Sequence, residues 1–507
     1  MHEEKRRQMR VSLFVLLIAL QLPSFGQIDL LPRIDQWRSI QQTHEQHTSI
    51  VLGEEMLQTV RQEDSLAETK GARVSLELHP RLEGGYSSGT GGANYESSLG
   101  LLTQFKTEKR WRLSFAPIIS TGSFPKYMTD EINANRIHPY GGIAIYSAGQ
   151  NHYNSFFLKG NVEFRASNRF QFSFGNTQTF LGDGYRSLML SEYSNNFLNF
   201  KLKAKVWKFK YLFMVSQLRD FSDRSQTNYW DLEDKYTATH YMSWNITGKI
   251  NLSFFESIVW RGQDTLLARG IEPNYLNPVI FFRPVEYSLG STDNSILGLN
   301  FSWELKDGIK LYHQLVLDEF LLSEIRARNG WWANKYAFQF GAKWEGAFGI
   351  ENLRVLGEFN SIRPFTFSHK SSQESYSHMN RPLGHPLGAN FNEGLAELLY
   401  YTDVWDFNLR FFSAGIGLDT GAVSNGQNVL LSYERRNGTY GHKIGQGLKT
   451  NINHFQTSIS YLLWPSMGVK ANLMVGYRLA KNAVLEEDDF YFRIGIGTNL
   501  NRVNRFY

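Results

Sequence analysis

The sequence predicts an all-β transmembrane barrel of about 18 antiparallel strands, preceded by a short helical periplasmic N-terminal segment. Three observations predict it. Over residues 296–305, Leu297, Leu299, Phe301, Trp303 and Leu305 fall on one side, while Gly298, Asn300, Ser302 and Glu304 fall on the other. This strict period-2 alternation is a strand with an apolar face and a polar face. The same grammar recurs in pairs of segments closed by short turns, and longer polar connections join the pairs. The chain also opens on what reads as an export signal. In lipid only helices or a closed barrel satisfy every backbone polar group, and no later stretch is a candidate membrane helix.

Composition points the same way. A chain of 507 residues suits one large barrel better than one soluble core. Aromatic residues make up 15% of it and charged residues only 20%, with 43 glycines for tight turns. It has no cysteine, which excludes disulfides, thiol chemistry, thiolate metal sites and a lipoprotein anchor.

Residues 1–26 read as a signal peptide. Lys5, Arg6, Arg7 and Arg10 form its basic region, 11–22 its apolar core, and Ser24 and Gly26 the small residues before a cut at Gln27. The apolar run is shorter than the ~20 residues of a spanning helix. Cleavage takes the formal charge from +5 to +3, which is no footprint for nucleic acid. Residues 27–72 form the expected periplasmic helical segment, with Ile34, Trp37 and Ile40 at rough helical spacing.

The barrel is expected over 73–507. Strands are predicted over 75–82, then as hairpins over 95–105 and 111–119, 156–165 and 170–176, 198–206 and 209–218, and 241–246 and 250–260. Further hairpins cover 296–305 and 309–317, 336–344 and 353–360, 392–401 and 406–417, and 455–463 and 467–477. A last strand covers 490–500. The count is 18, with 429–435 placed inside a long loop. The long connections are 120–154, 178–196, 219–239, 261–294, 318–335, 361–391, 418–454 and 478–489. In barrels of this class the short turns are periplasmic and the long loops extracellular.

The faces require a polar interior. Leu198, Phe200, Leu202, Ala204 and Val206 alternate with Lys201, Lys203 and Lys205; Phe156, Leu158, Val162 and Phe164 alternate with Lys159, Asn161, Glu163 and Arg165. Lysines on the lipid face would cost roughly 2–4 kcal/mol each near the midplane, so they face the lumen. Phe490, Phe492, Ile494 and Ile496 give the last strand an apolar face. The terminal Phe506-Tyr507 resembles the signal read by the barrel-insertion machinery, an expected partner together with outer-membrane lipid.

Four loop segments break the strand grammar with dense polar chemistry. The first holds Gly182, Asp183, Gly184, Tyr185, Arg186 and Ser187. The second runs from Asn277-Pro278 through Arg283, Glu286 and Tyr287 to Asp293-Asn294. The third runs from Arg381 through His385 and Asn390 to Glu393. The fourth joins Asp318-Glu319 to Trp331-Trp332 and Lys335. Aromatic faces stack on sugar CH groups, while Asp, Asn and Arg bond hydroxyls and acidic groups. Trp331, Trp332, Tyr229 and Trp230 with the charged loops can supply both. The plainer reading is that Asp183, Arg186, Arg283, Glu286 and Asp293 form lumenal ion pairs that hold loops inside a wide barrel, with Arg283 and Glu286 pinning their loop at its mouth.

On these motifs the chain resembles the Wzi-like capsule-assembly proteins of the outer membrane, including a branch linked to surface gliding. The segments 182–187, 277–286, 293–294, 329–335 and 385–393 carry the resemblance, in order, across the whole mature chain. It implies a large barrel with helices at its periplasmic side, in the outer membrane of a Gram-negative bacterium. The implied role is lectin-like, retaining or organising capsular or exopolysaccharide at the cell surface. The other reading of the same barrel is a solute-conducting channel, and a third class is an outer-membrane hydrolase. No enzyme motif stands out. His385 and His442 lack metal-ligand spacing, no local pattern selects a catalytic triad, and no phosphate loop is present. The run Glu486-Glu487-Asp488-Asp489 offers carboxylates that could bind a cation, but a charge run on a loop reads first as solvated. No cofactor or metal is expected.

Overall fold

The computed structural model describes residues 47, 49–51, 73–90, 92–107, 110–147, 152–221, 229–263, 269–278, 293–421 and 423–498. The expected signal peptide, most of the expected helical segment, and Phe506-Tyr507 lie outside them.

Eighteen antiparallel strands close into a barrel. They are β1 (Arg73–Ser87), β2 (Gly92–Lys106), β3 (Trp111–Gly122), β4 (His152–Arg165), β5 (Phe170–Thr177) and β6 (Phe197–Val206). There follow β7 (Phe209–Asp220), β8 (Glu233–Asn245), β9 (Ile250–Arg261), β10 (Asn294–Lys306), β11 (Ile309–Glu319) and β12 (Lys335–Glu345). The last are β13 (Leu353–Ile362), β14 (Phe391–Tyr401), β15 (Trp405–Leu418), β16 (Leu448–Trp464), β17 (Val469–Lys481) and β18 (Glu486–Gly497). Each strand pairs with its sequence neighbours, and β1 closes on β18 with Tyr86 opposite Phe492 and Arg81 opposite Gly497.

Eight short turns and the two ends of the described barrel lie at one rim. The other rim carries the longer connections and two short ones, 88–91 and 482–485. Several predicted boundaries are corrected. β1 runs past residue 82 to Ser87, β8 begins at Glu233 and β16 at Leu448, inside the expected loops 219–239 and 418–454, and β17 runs to Lys481 and β18 begins at Glu486, inside the expected loop 478–489. Cross-strand partners stabilise the acidic run there. Asp489 is buried and accepts bonds from Ser87 Oγ (2.8 Å) and the Gly89 amide (2.9 Å), while Glu487 pairs with Lys126 at 2.9 Å.

The outer surface carries the apolar alternation. Phe200, Leu297, Leu299, Phe301, Phe340, Phe359, Phe490, Ile494 and Ile496 are exposed. Exposed tryptophans, Trp111, Trp207, Trp303, Trp405 and Trp464, gather toward the short-turn rim, as aromatic belts do at a membrane interface. The inward positions Lys201, Lys203, Asn161 and Glu163 are buried, as the alternation predicts. The interior is not wholly polar. Leu212, Tyr241, Phe255, Val316 and Leu356 of the wall pack with Leu181, Leu188 and Met189 of the 178–196 connection in one cluster. Lumenal leucines are tolerated because a loop, not water, lies against them.

Candidate functional site

The connection between β5 and β6 turns into the barrel. Gly182 has φ +129, and a Cβ there would meet the Gln314 side chain at 1.8 Å. A Cβ on Gly184 would meet Gln339 Oε1 at 2.4 Å and Glu358 Oε2 at 2.7 Å. These glycines let the backbone touch the lumenal wall. Between them Asp183, fully buried, pairs with Lys310 at 2.9 Å and accepts from Asn300 Nδ2 at 2.8 Å; Lys343 Nζ donates to its carbonyl.

The next two backbone amides dock on one carboxylate. The Tyr185 amide donates to Glu358 Oε2 (2.6 Å) and the Arg186 amide to Oε1 (3.0 Å), while Tyr312 OH donates to Oε2 at 2.8 Å. Gln314 Oε1 takes the Leu188 amide, and Gln339 Nε2 donates to the Arg186 carbonyl. The loop's polar backbone is thus satisfied by inward side chains of β10 to β13, as burial demands.

The 363–390 connection enters the same space and meets the first loop across β14. Glu393 accepts from Arg186 Nη2 at 3.1 Å, from His385 Nε2 at 2.8 Å and from Asn360 Nδ2 at 2.9 Å. His385 Nδ1 accepts the Leu387 amide, which fixes the neutral tautomer. Burial lowers the His385 pKa, against the opposing pull of Glu393. Burial also opposes the charge of Arg186, but Glu393, Tyr185 and Glu358 together outweigh it and raise the Arg186 pKa. The loops lock further where the Ser191 amide donates to the Leu383 carbonyl (2.7 Å) and Ser191 Oγ to the Gly384 carbonyl (2.5 Å).

Asn390 ties a third connection to these two. It sits at φ 62, and its Nδ2 donates to the carbonyls of Gly417 (2.7 Å), Gln446 (2.9 Å) and Asn425 (3.1 Å). Its Oδ1 accepts the Gly445 amide at 2.8 Å. From the other rim, Ile50–Val51 pairs with Phe180–Leu181, and the Gly182 amide donates to the Ser49 carbonyl. His47 lies between Ser243 Oγ (2.9 Å) and Asn245 Nδ2 (3.0 Å) on the lumenal face of β8.

A second site lies on the outer side of the plug. Trp332 packs on Tyr433, with ring centres 4.7 Å apart, and the Arg436 guanidinium lies 4.0 Å from the indole centre. Lys335, fully buried, pairs with Glu319 at 3.3 Å and lies 4.4 Å from the Tyr433 ring centre. Glu319, Trp332, Tyr433 and Arg436 with Glu434, Gly438 and Thr439 line an open cleft of about 590 Å³. The site offers aromatic edges with carboxylate and guanidinium groups at one place. Trp331 is half-buried beside Trp332, with ring centres 6.5 Å apart, and does not line the cleft. Asp318 faces inward and caps the Phe367 amide at 2.8 Å, so it holds the 363–390 loop.

The sequence-predicted residues therefore separate into groups. Asp183, Tyr185, Arg186, His385 and Glu393 converge inside, with Asn390 above them. Glu319 and Trp332 meet in the outer cleft. Asp293 pairs with Arg269 at 2.6 Å and accepts from Tyr275 OH at 2.7 Å; Asn294 is buried at the start of β10. Arg283, Glu286 and Tyr287 lie outside the described residues. The described start of their loop lies against the outer wall, where Tyr275 packs on Trp260 and Pro278 accepts from Tyr211 OH (2.5 Å). Tyr229 stacks under Arg219 at 5.0 Å, apart from the cleft. Sequence reasoning missed Glu358, Gln314, Gln339 and Lys343. Their signal was present, since each is a polar residue at an inward position of its strand. It also missed Tyr433 and Arg436, which no periodicity marks.

The fold and these loops define an outer-membrane β-barrel whose interior is occupied by its own connections. No family model and no curated protein matches the sequence. Among solved structures the chain is similar to Wzi of Escherichia coli, described as an outer membrane protein involved in group 1 capsule assembly and a carbohydrate-binding β-barrel. The likeness has 14% identity, covers 92% of each chain and has a TM-score of 0.53. It is also similar to OprD of Pseudomonas aeruginosa, at 11% identity over 85% of this chain and 96% of that one, with a TM-score of 0.45. The likeness to Wzi shows the fold.

Proposed function

We propose that this chain is a non-enzymatic, Wzi-like outer-membrane barrel that binds surface polysaccharide through its extracellular loops and so retains or organises a capsule or exopolysaccharide. The observation that carries this reading is the division of labour among the loops. The 178–196 and 363–390 connections are committed to a buried ionic network inside the barrel. Above them, Trp332, Tyr433, Glu319 and Arg436 form an aromatic and charged cleft that faces outward. Sugar rings present apolar CH faces and hydroxyl edges, which such a cleft matches. The carbohydrate binding described for Wzi supports the reading by analogy. An export signal over 1–26 delivers the chain in this scheme, and a role in surface gliding belongs to the same proposal.

A deletion strain that continues to synthesise polymer tests it. The expected outcome is polysaccharide released to the medium and depleted from the cell surface, restored by the wild-type chain. Unchanged surface retention would overturn the reading. The solute-channel alternative predicts a large, steady conductance from the purified barrel in planar bilayers, whereas a filled interior predicts almost none.

A further inference from the structure

Between β11 and β12 the chain forms a short helix, α1 (Leu322–Ala327), in the sequence Phe320-Leu321-Leu322-Ser323-Glu324-Ile325-Arg326-Ala327-Arg328. The segment is apolar where an extracellular loop should be polar. Phe320, Leu321 and Leu322 are 48%, 47% and 50% exposed, and Ile325 is 37% exposed. None of the helix's residues is buried. Leu322, Ile325 and Arg326 share one helical face by their i, i+3, i+4 spacing, and Arg328 ends the helix in the left-handed conformation. Arg326 and Arg328 are both exposed.

The segment is held rigidly. The Leu321 amide donates to Asn334 Oδ1 at 3.0 Å, and Asn329 Nδ2 donates to Glu324. The backbone beyond it is stitched to another loop, where the Gly441 amide donates to Asn329 and the His442 amide to Gly330, each at 2.9 Å. A fixed apolar patch on a loop marks a contact surface. Its position says with what. Leu311, Leu315 and Leu317 alternate with the inward Tyr312, Gln314 and Val316, so they belong to the lipid-facing belt. The patch starts three residues beyond Leu317, at the upper edge of that belt.

We propose that α1 is an interfacial anchor seated on the outer leaflet. Phe320, Leu321, Leu322 and Ile325 enter the acyl boundary, and Arg326 and Arg328 bind the phosphate groups of anionic outer-leaflet lipids. Continuity with the lipid belt and the pairing of an apolar face with exposed guanidiniums favour this occupant. Arginine's forked donors suit phosphate oxygens, and its stem lies along apolar surface.

The chain has no cysteine, so single labels are clean. Full-length protein carrying Ile325→Cys or Val484→Cys, each labelled with an environment-sensitive fluorophore, is reconstituted into vesicles of phosphatidylcholine alone or with lipid A added. Val484, 80% exposed on the 482–485 connection, is the reference. Heat-modifiable mobility confirms folding of each variant. The expected result is iodide quenching at position 325 about threefold or more below that at 484, falling further with lipid A. Arg326→Glu with Arg328→Glu should abolish the lipid A effect while protection in neutral vesicles persists. Equal quenching at 325 and 484 would overturn the anchor. Protection that ignores lipid A, or a lipid A effect that survives the double charge reversal, would overturn the phosphate contact.

Discussion

Glu358 holds Arg186 by its backbone amide and not by its guanidinium. Glu358 Oε1 accepts the Arg186 amide at 3.0 Å, while the Arg186 guanidinium turns to Glu393 at 3.1 Å. Two carboxylates on neighbouring strands thus share one loop residue, one holding its main chain and the other its side chain. Glu358 also takes the Tyr185 amide, so a single lumenal side chain sets the depth of the whole connection.

Glu358→Gln should therefore release the loop. The glutamine amide keeps the shape but turns one acceptor into a donor facing an N–H. An unpartnered buried amide costs about 1–3 kcal/mol. The expected outcome is a barrel that still folds, by heat-modifiable mobility, but conducts intermittently in planar bilayers where the wild type is quiet. A variant as quiet as the wild type would show that the other contacts hold the loop unaided.

Asn390→Ala should loosen the outer loops together. Its amide joins three carbonyls and one backbone N–H drawn from residues 417, 425, 445 and 446, and the left-handed backbone at 390 favours Asn over Ala. The loss should be on the order of 3 kcal/mol of local stability, because several buried groups lose their partner at once. Limited proteolysis is expected to cut within 419–447 in the variant and spare the wild type. Identical digestion patterns would count against this stitching role.

The barrel was legible in the sequence because its physics is local. Lipid outside and polar groups inside force a period of two, so Leu198 to Val206 and Leu297 to Leu305 announce their faces residue by residue. The loops obey no such period. Asp183, Arg186 and Glu393 stood out as charges among glycines and aromatics, but their partners are distant in sequence. Glu358 looked like any other lumenal acid. The outer cleft was half visible. Trp332 and Glu319 flank one connection, whereas Tyr433 and Arg436 arrive from another more than 90 residues later. The packing of Tyr275 was not legible, because its apolar partners lie on the outer face, where only lipid was expected.

Acid should weaken the loop packing through His378. Its Nδ1 accepts the Arg219 amide at 3.0 Å and its Nε2 donates to the Asn196 carbonyl at 3.1 Å, an arrangement open only to the neutral ring. Burial pushes its pKa down to about 3 from 6.5. A folded pKa below the unfolded one means the contribution is complete above pH 6.5 and is lost progressively toward pH 3. At pH 5 the loss should be about 2 kcal/mol. Protease accessibility of the 363–390 connection should rise over this range, and His378→Gln should flatten part of the rise. An unaltered pH profile in that variant would assign the acid response to other groups, such as His138, which burial also lowers to about 3.

Trp332→Ala tests the outer cleft directly. The indole is half-buried, with Arg436 on its ring and Tyr433 at its side, so its removal empties the cleft wall without touching the Glu358 and Glu393 network. A central aromatic contact is commonly worth about 2 kcal/mol or more in binding, so affinity for the organism's own surface polysaccharide should fall roughly 30-fold. Heat-modifiable mobility and bilayer conductance should stay as in the wild type, because the lumenal contacts remain. Arg436→Gln should reduce binding to an acidic polymer more than to a neutral one, since it deletes the charge and keeps hydrogen-bonding capacity. Full affinity in both variants would remove the cleft from the polysaccharide site and direct the search to the other extracellular connections.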